Sequence, residues 1–254
     1  MNRVIYPIVM LLGFVSLAVL FLSATSYKSG SFELGQAFNL LRWSAYAGIT
    51  SVGLATFYTA WKRPAGIQLL VLFISALAGL TAFYLPYRQQ QVAQQVPPIH
   101  DITTNIDNPP RFVAVAPLRA DAPNPAEYLG GETPELQREF YPDIMSVVYV
   151  QFPEDVFEVV VELVEEMGWE LVDANLEEGR IEATAETQWF GFKDDVVIRL
   201  QPGGAGSTVF DMRSKSRVGR SDIGVNANRI RLFIRALNQK LEVGGLSHPL
   251  QKDY

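Results

Sequence analysis

Three long apolar runs fill the first third of the chain, and after them the pattern changes character. Val4 to Ala24 (21 residues), Trp43 to Trp61 (19) and Pro64 to Tyr87 (24) contain no Asp, Glu, Lys, Arg or His. At 1.5 Å per residue, about 20 apolar residues cross a hydrocarbon core of about 30 Å. None of the runs shows the polar stripe of a soluble amphipathic helix. Tyr6, Tyr27, Trp43, Trp61, Tyr84 and Tyr87 lie near their ends, where rings sit at headgroup level. The pattern predicts three transmembrane helices over residues 1–87. The first run is too long for the apolar part of a signal peptide, and Leu22-Ser23-Ala24 is a poor cleavage site. Ser44, Gly48, Ser51 and Ala55, and then Ser75 and Gly79, recur at helical spacing. They suit close packing of these helices on one another or a dimer interface.

Residues 88–99 read as a linker. RQQQVAQQ can prolong the third helix until Pro97 and Pro98 stop it, and the Asn, Asp, Thr and Pro residues that follow, to Phe112, read as turns. Residues 120–142, with four prolines and Gly130-Gly131, read as a long loop. Regularity begins at Ile144. Residues 146–151 suit a strand. Pro153–Gly168 suits a helix, with Pro153 in its first turn, Glu154 and Asp155 at its positive end and Gly168 as its stop. Residues 169–174 suit a strand. Ile181, Ala183 and Ala185 alternate with Glu182, Thr184 and Glu186, as on a strand with one wet face. Val196, Ile198 and Leu200 continue the alternation, Gly203–Gly206 is a hairpin connection, and Thr208, Phe210 and Met212 return. Residues 222–241 suit a final helix. The fold class that follows is α+β: three N-terminal transmembrane helices, then an antiparallel sheet with two helices packed on one face. The domain spans residues 100–243, and 244–254 form a C-terminal tail.

Charge sharpens the division. Up to Pro86 there are five basic residues and one acid, whereas the rest holds 16 basic and 26 acidic residues. An acidic second half argues against nucleic acid as a partner. Lys62 and Arg63 sit in the tight hairpin between the second and third runs, where the positive-inside rule is most dependable. That places the N-terminus inside and, after three crossings, the acidic domain outside the cytoplasm. The runs carry no ionisable group, which argues against a pump or coupled transporter. With Cys at 0 and His100 and His248 the only histidines, thiolate chemistry and multi-histidine metal sites are excluded. No cofactor or metal is expected.

Two polar clusters remain. In Arg213–Arg229, Ser221 or Asp222 can cap the last helix. Asp222, Asn226 and Arg229 share a face at i, i+4, i+7, and Arg217 and Arg220 precede a helix N-terminus suited to an anion. The same text also reads as a capped helix whose arginines pair with the domain's own acids. The other cluster is His100, Asp101, Thr103, Thr104, Asp107 and Arg111. A His-Asp neighbour can orient an imidazole for acid–base work, yet no nucleophile accompanies it. Gly-x-Ser-x-Gly is absent, as are the spacing of an EF-hand and the lysine of a phosphate loop. A turn network pinning the linker is the plainer reading.

Pro98-Ile99-His100-Asp101-Ile102-Thr103-Thr104 with Pro109-Pro110-Arg111-Phe112 resembles the start of a bacterial envelope family catalogued as a domain of unknown function (number 1499). Ser216-Arg217-Val218-Gly219-Arg220-Ser221-Asp222-Ile223-Gly224-Val225-Asn226 with Arg229-Ile230 is similar to that family's closing signature. The resemblance covers about residues 97–240 and implies no reaction. It implies that both clusters belong to one domain, which leads to the expectation that they meet in one shallow ligand site of His100, Asp101, Arg111, Arg217, Arg220, Ser221, Asp222, Asn226 and Arg229. The expected role is a non-catalytic binding or interaction module in the bacterial inner membrane, its domain periplasmic. Its partners would be the bilayer and an envelope protein or an anionic small ligand. The alternatives are a membrane-tethered hydrolase of an envelope ester or phosphoester with His100 as base, and an accessory subunit of a membrane complex.

Overall fold

The computed structural model describes residues 2–128 and 130–243; the expected tail at 244–254, with His248, lies outside them. The chain divides into two compact units, one holding residues up to Gln95 with Gln188–Gly191, the other Val96–Thr187 and the residues from Phe192 onward.

The first unit is built from three helices, α1 (Asn2–Lys28), α2 (Leu34–Lys62) and α3 (Ile67–Gln95), each packed on the other two. The small residues set how closely they approach. A Cβ on Gly13 would lie 2.0 Å from the Ser75 carbonyl, and one on Gly48 would lie 2.3 Å from that of Gly79. The buried face of α2 is Ala37, Ser44, Gly48, Ser51, Ala55 and Tyr58, so the small-residue stripe serves packing within the unit. Val4, Phe21, Trp43, Phe57, Leu70 and Phe73 point outward and are exposed. Among the described residues two helices, Val4–Lys28 and Ile67–Gln95, are long and apolar enough to cross a membrane. This corrects the expectation of three such spans. The middle run is free of charge, but Ser44, Thr50, Ser51, Thr56, Thr59 and four tyrosine or tryptophan rings dilute its hydropathy.

The second unit is a mixed α+β domain around an antiparallel sheet. Its strands are β1 (Asp101–Thr103), β2 (Val147–Tyr149), β3 (Glu170–Asn175), β4 (Arg180–Glu186), β5 (Lys193–Pro202) and β6 (Thr208–Ser216). The order is β1-β6-β5-β4-β3, with β2 also pairing β6. Helices α4 (Thr133–Phe140), α5 (Pro153–Glu166) and α6 (Val225–Val243) complete it. Three expectations need correction. The segment read as turns contains β1, which pairs with Arg213–Lys215. The segment read as a long loop contains α4, whose buried Gln137 bonds both the N–H and the carbonyl of Thr103 and so extends the sheet edge. The last helix starts three residues late, because Ile223 and Gly224 have φ of 52° and 81°.

Because side chains alternate across a strand, the pairing sorts the sheet residues into two faces. Ile181, Ile198 and Met212 are direct neighbours across β4, β5 and β6. They share one apolar cluster with Val156, Val160 and Leu163 of α5 and Ile230, Phe233 and Leu237 of α6. Phe233 stacks on both Trp169 and Phe210. The opposite face carries Thr184, Asp195, Lys215 and Asp101 in one cross-strand row and Glu182, Val197, Arg213 and Thr103 in the next. It was expected to be wet. Instead Glu182, Asp195 and Lys215 are 0% exposed and Arg213 1%, because the segment following β1 folds over them, placing Phe112 and Val115 against Val197.

Candidate functional site

The covered face is an ionic layer. Asp195 accepts from Arg119 Nη1 at 3.0 Å and from Arg217 through both oxygens at 2.9 and 2.8 Å. Asp101 is held bidentately by Arg213, with two bonds of 2.8 Å, and by Lys215 Nζ at 3.0 Å. These two carboxylates face four cations, and further acceptors are backbone oxygens, of Pro110 and Ala126 for Arg213, Glu127 for Lys215, Asn124 and Ser216 for Arg119, and Leu118 for Arg217, together with the Thr184 hydroxyl for Arg217. Arg213 also lies over the Phe112 ring at 4.8 Å, a cation–π contact in a dry setting. Burial pulls the Lys215 ammonium below its ordinary value, opposed by Asp101. Next to this layer the Glu182 carboxylate accepts three successive backbone N–H groups, from Val113, Ala114 and Val115, at 2.8, 3.1 and 2.8 Å. The chain over the sheet is thus fastened by charge-assisted bonds, the stronger class of hydrogen bond.

A second network lies on the helix side. Asp194 pairs with Arg229 at 2.6 Å. Asn226 donates to the His100 carbonyl and to Ser216 Oγ, both at 3.0 Å, and accepts from Ser214 and Arg229. Asp222 accepts from the N–H groups of Gly224 and Asn226 at 3.0 and 2.6 Å and so caps α6. Burial raises its carboxyl above the ordinary range, with those two bonds pulling the other way. Ser221 accepts from Ile223 N–H and lies 3.4 Å from the Pro97 carbonyl. His100 Nδ1 is 3.4 Å from the Arg220 carbonyl, and its Nε2 is buried with no partner among the described residues. Burial is the first cause lowering the pKa of this ring.

The two motifs therefore do meet, since Asp101 lies directly opposite Lys215, two residues before Arg217. They do not make one site. Asp101 and Arg217 join the covered ionic layer, whereas His100, Asp222, Asn226 and Arg229 join the helix-side network. The arginine–acid pairing anticipated as the plainer reading describes both. Arg111 and Arg220 are exposed. Arg111 lines a groove of about 260 Å³ between residues 108–113 and Glu178, Arg180, Val197 and Arg199. Sequence reasoning passed over Arg119, Asp194, Asp195, Glu182, Arg199 and Lys215. A signal for some of them was present: charged residues at every second position of strands whose other positions are apolar.

Residues 101–237, over half of the chain, match the family model described as a protein of unknown function (DUF1499). No match to a curated protein is found.

Proposed function

The chain belongs to that family, DUF1499, and from this premise we propose that it is a membrane-anchored, non-catalytic binding module. In this reading three helices hold the α+β domain on the periplasmic side of a bacterial inner membrane, where it engages an envelope partner or a small anionic ligand. One observation carries the non-catalytic part. The acids of both motifs are committed to internal cations or backbone N–H groups, and His100, the one histidine of the domain's motifs, faces a carbonyl. A hydrolase would need that imidazole within reach of a nucleophile.

The middle helix decides the side of the membrane. With α2 across the bilayer the crossings number three, and the domain lies opposite the N-terminus; with α1 and α3 alone it lies on the same side. The hydroxyls that lower the hydropathy of α2 support its crossing. Ser44, Thr50, Ser51 and Thr56 each bond a carbonyl of their own helix at 2.7–2.9 Å, as a hydroxyl in hydrocarbon must.

Two measurements test the proposal. A C-terminal alkaline phosphatase fusion is expected to be active and a fluorescent-protein fusion at the same place dark; the reverse result removes α2 as a span. The purified full chain is expected to leave ester and phosphoester probes untouched, while lipids, small acids or proteins that co-purify in mild detergent are identified by mass. Hydrolysis that disappears in His100→Ala would replace the binding reading with the hydrolase.

A further inference from the structure

We infer that the turn between β4 and β5 is a further membrane contact: Gln188–Gly191 lodges in the headgroup layer of the bilayer, beside the end of α1 and the start of α2, and presents Trp189 to lipid. The inference rests on the reading of α1, α2 and α3 as membrane spans and adds a lipid-facing element that lies outside them.

Composition first sets this turn apart. Reversals between strands draw on Gly, Asn, Asp, Pro and Ser, yet residues 189–192 read Trp-Phe-Gly-Phe. Gly191, at φ 68°, supplies the reversal. Thr187 and Phe192 close the neck: the Thr187 N–H donates to the Phe192 carbonyl at 2.9 Å, and the Phe192 N–H to the Thr187 hydroxyl at 2.8 Å. Large rings are thus held at the tip of a closed hairpin. The tip groups with the helices instead of the sheet, since Gln188–Gly191 fall in the helical unit. There Phe190, 6% exposed, lies between two rings, 6.3 Å from Tyr27 of α1 and 5.6 Å from Phe38 of α2, centroid distances of favourable aromatic pairs. Trp189 packs edge-on against Phe190 at 5.4 Å and stays partly exposed.

Level along the helices then identifies what the exposed ring faces. At the other end of the same two helices Tyr6 and Tyr58 pair at 6.0 Å. Tyr6 and Tyr27 are 21 residues apart on α1, and Phe38 and Tyr58 are 20 apart on α2. At 1.5 Å per residue both separations are about 30 Å, the thickness of a hydrocarbon core. The two sets of rings therefore mark the two lipid–water boundaries, and Phe190 sits on one of them. A Trp beside it meets headgroups, the level that indole rings favour. Phe32, Phe38 and Trp43, at the same end of α1 and α2, are exposed as well. Charge has no part in the contact. Glu186 and Lys193, directly opposite each other where the strands enter the turn, cancel, so zwitterionic lipid suffices.

The test uses the full chain in nanodiscs of phosphatidylcholine brominated near the top of its acyl chains, which quenches tryptophan fluorescence at short range. The parent reports Trp43 and Trp61, both exposed on α2, and so checks the membrane reading itself. Trp43→Phe with Trp61→Phe leaves Trp189 and Trp169, the latter packed against the α+β core. In this double variant brominated lipid is expected to remove up to about half of the emission, the share of one ring of two. Adding Trp189→Phe should abolish that loss, and anionic lipid should not change it. An unquenched double variant beside a quenched parent puts the turn in water and overturns the inference alone. Quenching that survives Trp189→Phe, or that requires anionic lipid, overturns it too. An unquenched parent removes the membrane reading and the inference together. Because the chain has no cysteine, a nitroxide on Gln188→Cys gives a second measurement with every tryptophan in place. Its ratio of oxygen to nickel-chelate accessibility should exceed that of a nitroxide on Glu158→Cys, at an exposed position of α5; equal ratios overturn the inference.

Discussion

The two faces of the same sheet are closed by opposite means. On one, Ile181, Ile198, Met212 and Phe210 meet the apolar faces of α5 and α6; on the other, Asp195, Asp101, Lys215 and Arg213 meet a largely irregular segment that carries Arg119 and a run of backbone donors and carbonyls. Hydrocarbon contact is forgiving in direction and proportional to area. An ionic layer is directional, and each member is needed by its neighbours. The difference shows why a strand pattern of alternating apolar and charged residues does not by itself mean one face in water.

The largest effect should come from removing a single carboxylate under the covering segment. Asp195→Ala leaves the buried Arg119 and the largely buried Arg217 without their anion and should destabilise the domain by roughly 3–5 kcal/mol. That equals the roughly 3–5 kcal/mol expected for Phe210→Ala on the opposite face. Hydrogen exchange of the β4 and β5 amides would register both. Equal protection in Asp195→Ala and the parent would mean that the ionic layer contributes little. An intermediate effect is expected at Glu182→Gln, which keeps the shape but surrenders the charge that three N–H groups and Arg180 address. A loss of about 1.5–3 kcal/mol follows, with proteolysis near Val113–Val115 becoming faster. Nicking elsewhere, with that stretch still protected, would count against the assignment.

The smallest effect concerns pH on the helix side. Burial holds the His100 ring below its ordinary value of 6.5, so as pH falls the unfolded chain takes up the proton before the folded one does. Stability is therefore full above about pH 6.5 and declines as pH falls through the folded-state value. Because the ring is only half buried, the decline should stay under about 1 kcal/mol. Urea midpoints at pH 7.5 and 5.5 should differ more in the parent than in His100→Gln; identical differences in the two proteins would show that the ring does not titrate in this window.

Much of the domain is legible from the chain. Pro153, Glu154 and Asp155 mark the start of α5, and Gly168, at φ 71°, its end, because caps and turns are local properties. The Gly203–Gly206 connection joins β5 to β6 as its composition implies. What stayed hidden is long-range. Asp101–Thr103 is three residues long and shows its strand character only beside Arg213–Lys215. Thr133–Phe140 is an eight-residue helix with one fully buried side chain, Gln137, too short for a periodic signal. Arg111 was legible as a candidate, but its groove is not, since Arg180 and Arg199 become neighbours only through strand pairing. The motif arginines and acids were likewise visible as charges while their sorting between two faces was not.

Asp194 and Asp195 illustrate that sorting at its tightest. Successive on β5, they reach through opposite sides, one to Arg229 and the other to Arg119 and Arg217. A shear of this strand by one position would leave an aspartate in one arginine clamp but put Lys193 or Val196 into the other, according to the direction of the slip. The acid pair therefore acts as a two-sided key, rejecting a misaligned hairpin during assembly more firmly than greasy contacts alone could.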